Sequence, residues 1–188
     1  MSIFSRIFGG GREQPEPSYD PQSPEGLAVR WMRWVASIES ARHPISDRTG
    51  QFAGEQQPDD VFFLAGTFGG EADRRCVVPA DTPLFFPVVN VWYWNTSQPG
   101  RPLPHDAYGV LIVDGEDVTP DPISTPTPFT VVGAKGNPAT GGHGPTRATV
   151  SGLWKRVDPL PPGEHVIRFA GGFGSGFSVT VTYHLTVN

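Results

Sequence analysis

The clearest pattern in the chain is a strict alternation of apolar and polar residues in FSVTVTYHLTV (177–187). Every second residue from Phe177 to Val187 is large and apolar, and Ser, Thr or His occupies each position between them. Alternate residues of a strand face opposite sides of a sheet, so this segment predicts a strand with one buried and one solvent-exposed face.

Seven further segments have the length and the β-branched or aromatic content of strands, and Gly- and Pro-rich turns separate them. They are VFFLAGT (61–67), RRCVV (74–78), LFFPVVNVWYWN (84–95), AYGVLIVDGEDV (107–118), FTVVGA (129–134), TVSGLWKRV (149–157) and HVIRFAG (165–171). Both faces of 84–95 are apolar, which predicts a central strand covered on both sides, with a bulge or an edge segment at Pro87. Segments 74–78 and 84–95 flank the turn PADT and are predicted to be adjacent core strands. Asp114 and Gly115 predict a tight hairpin.

A helical pattern precedes the strands. Ser23 can cap it and Pro24 suits its first position, whereas Pro44 disfavours helix at the preceding residue, so the helix is predicted to end near Arg42. Apolar residues recur along one stripe at helical spacing: Leu27, Trp31, Trp34, Val35 and Ile38. The stripe predicts that the helix covers one face of a sheet, with a ligand platform as the alternative role of its tryptophans.

Together these elements predict an all-β fold, an antiparallel, jelly-roll-like β-sandwich with one N-terminal α-helix. Residues 25–188 form the predicted domain. Residues 1–24 are predicted to be a flexible arm and linker, because 9–24 are rich in Gly and Pro and lack an apolar period. The arm carries four large apolar side chains: Ile3, Phe4, Ile7 and Phe8. They indicate a docking segment for a protein partner or for the protein's own surface, with a frayed terminus as the alternative.

Composition narrows the function classes. The 188 residues include 23 Gly and 21 Pro, which fits many turns, and the 5 Trp, 4 Tyr and 12 Phe argue against disorder. The net charge is −5 and no basic stripe occurs, so a nucleic-acid partner is not expected. No apolar run predicts a transmembrane segment, and the N-terminus lacks the features of a signal peptide, which makes the cytoplasm the default location.

The only cysteine, Cys76, follows Arg74 and Arg75, whose charges could lower the pKa of its thiol. A catalytic cysteine also needs a base, and no cysteine-hydrolase signature surrounds Cys76. A packing role is therefore expected, with catalysis and regulatory oxidation as alternatives. A single cysteine also excludes an internal disulfide and a cysteine-rich metal site.

The histidines give no local metal motif. They are His43, His105, His143, His165 and His184. No HxH or HExxH pair occurs, so neither a metal site nor a cofactor is predicted, although ligands gathered from several strands stay an alternative. His165 and His184 are expected on opposite faces of a hairpin closed by GGFGSG. In HPISDRTG, His43 and Asp47 could pair for acid–base chemistry, or Asp47 could cap a turn with Thr49.

Aromatic residues raise the possibility of ligand binding. Trp92 and Trp94 share one face of 84–95 with Asn90. Flat rings beside amide and guanidinium groups bind sugars and other flat ligands, so Asn90, Trp92, Trp94 and Arg75 are the candidate ligand-binding residues. Burial of the two tryptophans in the core is the alternative.

Several motifs resemble those of a family of small bacterial and fungal proteins that has no established activity. The segments are DRTG, VFFLAGTFGG, RRCVVPADTPLFFPVVN and PLPPGEHVIRFAG; the family patterns are D-x-T-G, FLAGT, R-x-C-x-VPAG, FPxxN and PLxPGxH. The resemblance spans about residues 27–187 and implies a shared β-sandwich unit without a mechanism. It singles out Asp47, Thr49, Gly50, Arg75, Cys76, Pro79, Asn90, Gly163 and His165. Asp81 replaces the Gly of the pattern, so a different turn shape is expected there.

Three functional hypotheses follow. The first is a non-enzymatic binding or protein-interaction module, with a small molecule or a glycan as candidate ligand and the arm as a means of recruitment. The second is a jelly-roll enzyme, with or without a metal, whose polar pocket lies between the sheets. Its candidate groups are His43, Asp47, Arg75 and Asn90. The third is a structural or assembly protein, such as a particle component.

Overall fold

The computed structural model describes residues 19–142, 144–174 and 176–188. The arm residues Ile3, Phe4, Ile7 and Phe8, and His143, lie outside these ranges. Helix α1 spans Pro24–Ser37. The strands of the described residues are β1 Phe62–Phe63, β2 Gly70–Val78, β3 Leu84–Trp94, β4 Tyr108–Val113, β5 Glu116–Asp117, β6 Asp121–Ser124, β7 Phe129–Gly133, β8 Gly144–Val157, β9 Gly163–Phe173 and β10 Phe177–Val187.

The strands form two packed sheets, and the predicted all-β sandwich with a single helix is confirmed. Sheet A has the order β1-β3-β8-β6, with β7 also paired to β8, and sheet B has the order β2-β10-β9-β4-β5. Most pairs are antiparallel, as predicted. The pairs β1–β3 and β2–β10 are parallel, because in each case the chain leaves the sheet before it returns to the neighbouring position.

The turn PADT connects the two sheets. The prediction that 74–78 and 84–95 are adjacent strands is wrong, since β2 belongs to sheet B and β3 to sheet A. Both flanking segments are apolar because Val78 and Leu84 pack in the same core between the sheets. Asp81 has a φ of 59°, the left-handed conformation that Gly adopts most easily, so the turn keeps the backbone for which Gly is favoured.

Sheet A is covered on both faces. Side chains from both sheets fill the space between them, including Phe86, Val88, Leu111, Phe169, Val181 and Leu185. On the other face, all five residues of the helical stripe are buried. Trp31 packs edge-on against Trp154 with ring centroids 5.4 Å apart, and Phe85 stacks on the same indole at 5.3 Å. The prediction of a doubly covered β3 holds for its first half, since the residues after Val89 are half-buried.

The bulge and the hairpin predicted from local sequence are present, whereas the bounds of two short strands differ from the prediction. The register of β3 against β8 shifts between Pro87 and Val89, which confirms the predicted bulge. The φ values of 51° at Asp114 and 89° at Gly115 confirm the tight hairpin between β4 and β5. Only Phe62 and Phe63 of 61–67 form a strand, and β6, which contains a proline, was not predicted.

Among the described residues, no helix has the length and apolarity needed to cross a bilayer.

The helix ends at Ser37 and not near Arg42; residues 40–42 form a separate 3-10 turn. The buried amide of Asn137 donates to the carbonyl oxygens of Val35, Ala36 and Ile38 at 2.7, 3.0 and 2.7 Å. Asn137 therefore satisfies the last carbonyl groups of the helix from a distant segment, which local sequence around residue 40 does not reveal.

A buried arginine joins two loops to sheet B. Arg74 lies on the inward face of β2 and is 1% exposed. Its Nε donates to the carbonyl oxygen of Asp47 at 2.7 Å. Its two terminal nitrogens donate to three more carbonyl oxygens and to one hydroxyl group. These acceptors belong to Ile45, Ala65, Gly66 and Tyr183. Backbone carbonyls, which are neutral dipoles, thus hold the buried guanidinium.

We expect Arg74→Ala to lower the free energy of unfolding by at least about 3 kcal/mol, because several buried acceptors lose their donor at once. Arg75→Ala is the matched control and should change it by no more than about 0.5 kcal/mol, since the Arg75 side chain is 75% exposed. Urea unfolding followed by circular dichroism measures both. Equal effects of the two substitutions would contradict the role given to Arg74.

Candidate functional site

Arg75 and Asn90 lie on different sheets and on opposite sides of the sandwich. Arg75 extends from the outward face of β2 in sheet B. Asn90 shares its face of β3 with Trp92 and Trp94, which pack against the cluster under the helix. The two candidate residues therefore do not meet in one site.

The family pattern R-x-C places its arginine two positions before Cys76. That position is Arg74, which is the buried member of the arginine pair.

His43 and Asp47 do not bond to each other, so the acid–base pair that was one of the two possibilities for HPISDRTG is not formed. The Asp47 carboxylate accepts hydrogen bonds from the backbone N–H and hydroxyl of Thr49, both at 2.8 Å, and from the Phe52 N–H at 2.9 Å. Burial raises the pKa of this carboxyl, but the hydrogen bonds from Phe52 and Thr49 outweigh it and leave the pKa below its usual value. Asp47 thus caps its turn, which was the alternative to the acid–base role.

His43 is a buried neutral residue. Its Nε2 donates to the carbonyl oxygen of Val35 at 3.0 Å, and its ring stacks on Phe68 with centroids 5.8 Å apart. Burial lowers the pKa of His43 to about 4 despite the bond to Val35. Its Nδ1 has no hydrogen-bond partner among the described residues and is not exposed. The imidazole therefore offers no accessible base to a substrate in this conformation.

Cys76 packs against the core between the sheets. Burial raises the pKa of its thiol to about 12, and the opposing effect of the Arg74 charge is smaller. The thiol is consequently protonated at neutral pH, and this environment fits a packing residue better than a nucleophile.

The two described histidines of the β9–β10 hairpin face opposite sides of sheet B, as predicted. His165 pairs with the buried Leu185 and therefore lies on the inward face of sheet B. His184 pairs with Val166, the residue after His165, and therefore lies on the outer face. His165 Nδ1 lies 2.6 Å from Asp114 Oδ2, and its Nε2 lies 2.8 Å from the carbonyl oxygen of Pro161. Both partners are acceptors, so both ring nitrogens donate only when the imidazole is protonated.

A groove of about 550 Å³ lies beside this histidine at the outer face of sheet B. Its floor includes Ile112 and Val166, and Glu164, Arg168 and His184 stand around it. No group of three or more His, Cys, Asp or Glu in the described ranges is arranged to hold a metal ion. The groove thus offers an apolar floor with charged walls.

A second concave region lies where β3 ends. Two hollows of about 270 and 440 Å³ adjoin there and share Asn95, Thr96 and Ser97. The smaller hollow is also lined by Tyr93, Trp94, Gln98, Pro99, Arg101 and Thr149, and the larger by Thr130, Pro145, Thr146 and Arg147. These lining residues include aromatic, amide, hydroxyl and guanidinium groups and no Asp, Glu, His or Cys.

The loop after β3 is held in place by specific contacts. Thr146 donates from its hydroxyl to Asn95 Oδ1 at 2.8 Å, and the Arg101 guanidinium carbon lies 5.0 Å from the centroid of the Tyr93 ring. Trp94 rests against Trp92 with centroids 6.0 Å apart. Of the candidate ligand-binding residues, only Trp94 lines this region. Tyr93, Gln98 and Arg101 were missed, although the polar run NTSQPGR (95–101) after an aromatic strand could have indicated them.

Comparison of the chain with protein-family models, curated proteins and solved structures found no match.

The His165 contacts predict a pH-dependent stability. Hydrogen bonding to Asp114 raises the pKa of His165 more than desolvation lowers it. The stabilisation that the protonated His165 adds to the folded state is therefore fully present below the pKa of an unfolded histidine. It disappears as the pH rises through the folded pKa. We expect the stability gap between wild type and His165→Gln to be largest near pH 6 and to shrink towards pH 9.

Urea unfolding across that pH range measures the gap. His105→Gln is the control because His105 is exposed, and its stability should follow that of wild type at every pH. A gap for His165→Gln that stays constant or widens as the pH rises would contradict a protonated imidazole at this position.

Proposed function

We propose that this protein is a non-enzymatic binding module that takes a polyhydroxylated ligand, such as a glycan, in the hollows at the end of β3. The observation that carries the proposal is the lining itself. Asn95, Gln98 and Arg101 supply directional hydrogen-bonding groups, and the aromatic residues Tyr93 and Trp94 lie beside them on opposite faces of β3. A few well-placed polar groups fix the orientation of a ligand, and hydroxyl groups of a sugar can bond to each of these side chains.

The lining favours binding over catalysis. Hydrolysis of a glycosidic bond normally uses a pair of carboxyl groups at the scissile bond, and the residues that line the two hollows carry none. Tyr93 and Trp94 are half-buried. Trp94 also rests against Trp92, whereas Tyr93 is the ring that lies beside Arg101. Arg101 stacks on Tyr93 and would reach an acidic or hydroxyl group of a sugar that lies beside the ring.

The enzyme hypothesis finds less support in this arrangement. It requires a polar pocket between the sheets, where apolar side chains such as Phe86, Leu111 and Phe169 are packed together. It also requires His43, Asp47 and Arg75 to converge, whereas His43 and Asp47 bond to separate backbone groups and Arg75 is exposed on sheet B. A binding module needs neither feature.

The test is a titration with neutral and uronic-acid-containing oligosaccharides, followed by tryptophan fluorescence and saturation-transfer NMR. We expect Arg101→Ala and Tyr93→Leu each to weaken binding by about tenfold, which corresponds to the loss of about 1.4 kcal/mol of contact energy. Fluorescence should report the ligand because Trp94 lines the hollow.

Matched controls lie on sheet B. Tyr108→Leu and Arg168→Ala change the same residue types at exposed positions away from the hollows and should leave binding unchanged. The proposal fails if no oligosaccharide binds, or if the control variants lose as much affinity as the variants at the hollow.

A further inference from the structure

The outer face of sheet B carries an exposed apolar stripe. Tyr108, Val110 and Ile112 alternate along β4 on this face, and the first two are 54% and 52% exposed. Ile112 also forms the floor of the groove together with Val166, so the stripe and the groove are continuous. Most large apolar side chains of the described residues are covered, and this row is an exception that a partner would bury favourably.

The stripe has an acidic surround. The pairing of β2, β10, β9, β4 and β5 places five carboxylates on or beside the outer face: Glu71, Asp73, Asp114, Asp117 and Glu164. Two guanidinium groups, Arg75 and Arg168, share that face. Asp73 lies 3.2 Å from His184 and 3.6 Å from Arg75, and Asp114 bonds to His165, so the charges of these two carboxylates are partly compensated. Glu71, Asp117 and Glu164 form no ion pair with another described residue, and their charge would attract a segment that is both basic and apolar.

The chain itself contains such a segment. Residues 1–12, MSIFSRIFGGGR, include Ile3, Phe4, Ile7 and Phe8 together with Arg6 and Arg12, and no Asp or Glu. We propose that this N-terminal segment docks on the apolar stripe of sheet B in the same molecule. The apolar side chains would cover Tyr108 and Val110, and the arginines would lie near the carboxylates of the surround.

The tether has to lead from the helix side of sheet A to the outer face of sheet B, and ten residues are available for this path. Tyr19 is fixed to the domain because its hydroxyl donates to the carbonyl oxygen of Thr127 at 2.7 Å and accepts from the Thr127 N–H at 2.8 Å. Residues 9–18 can span up to about 33 Å when extended, and the two sheets are separated by about 10 Å. Attachment also gives the segment an effective concentration of about 1 mM, which a weak contact can exploit.

The experiment compares the full chain with a full-length variant in which Ile3, Phe4, Ile7 and Phe8 are all changed to Ser. Methyl NMR should show different shifts for Val110 and Ile112 in the two proteins. Val132 is the internal control, because it is 61% exposed on β7 of sheet A and should keep its shift. The differences should not depend on protein concentration, since the contact lies within one molecule.

A second arm uses a synthetic peptide of residues 1–12, added to that Ser variant. We expect Val110→Lys to weaken peptide binding by about tenfold, because the new ammonium group must be desolvated against the apolar segment and repels Arg6 and Arg12. Val132→Lys should leave it unchanged. Both positions are exposed, so both proteins are expected to stay folded, which thermal unfolding checks.

Several results would overturn the proposal. Unchanged Val110 and Ile112 shifts in the Ser variant would show that the segment does not contact the stripe. Shift differences that grow with protein concentration would assign the contact to a second copy. Equal peptide binding by the Val110→Lys and Val132→Lys proteins would place the contact elsewhere. None of these readouts involves the hollows at the end of β3, so failure here is distinguishable from failure of the proposed glycan site.

Discussion

The arrangement of the loops around sheet B depends on the buried guanidinium of Arg74. It is the common donor for carbonyl groups in two separate loops, 45–47 and 64–66, and it also bonds to the hydroxyl of Tyr183 on the neighbouring strand. That hydroxyl in turn bonds to the backbone N–H and carbonyl of Ala65. A residue without five fixed donors could not satisfy this set of acceptors, so the position favours arginine over lysine.

The same loops carry the contacts that place the helix. Trp31 donates from its indole to the carbonyl oxygen of Leu64 at 2.9 Å, next to the segment that Arg74 fixes. Gly50 has a φ of 90°, and a Cβ there would come within 2.4 Å of the Arg75 carbonyl oxygen. Only glycine therefore allows the loop after the helix to approach β2, where the Arg75 N–H bonds to the Thr49 carbonyl. Helix, loops and sheet B are thus joined through backbone groups.

Sequence periodicity predicted the elements whose burial is decided locally. Strand β10 has the predicted bounds, and α1 begins at Pro24 as its capping signals indicate. What the sequence could not show depends on contacts between distant residues. The end of α1 is set by Asn137, and the sheets to which β2 and β3 belong are set by their partners β10 and β8. Alternation places Arg74 and Arg75 on opposite faces without telling which face is buried.

The candidate site shows the same division. Sequence pattern named Trp94 as a candidate, and it lines the smaller hollow, whereas Arg101 reaches Tyr93 only through the fold of the loop after β3. The motif residues Asp47, Gly50 and His165 bond to or pack against backbone groups of the domain itself. Their chemistry is therefore used to hold the sandwich together. The lining of the hollows contains none of these motif residues, so exposed side chains there can change while the buried polar contacts that maintain the fold stay the same.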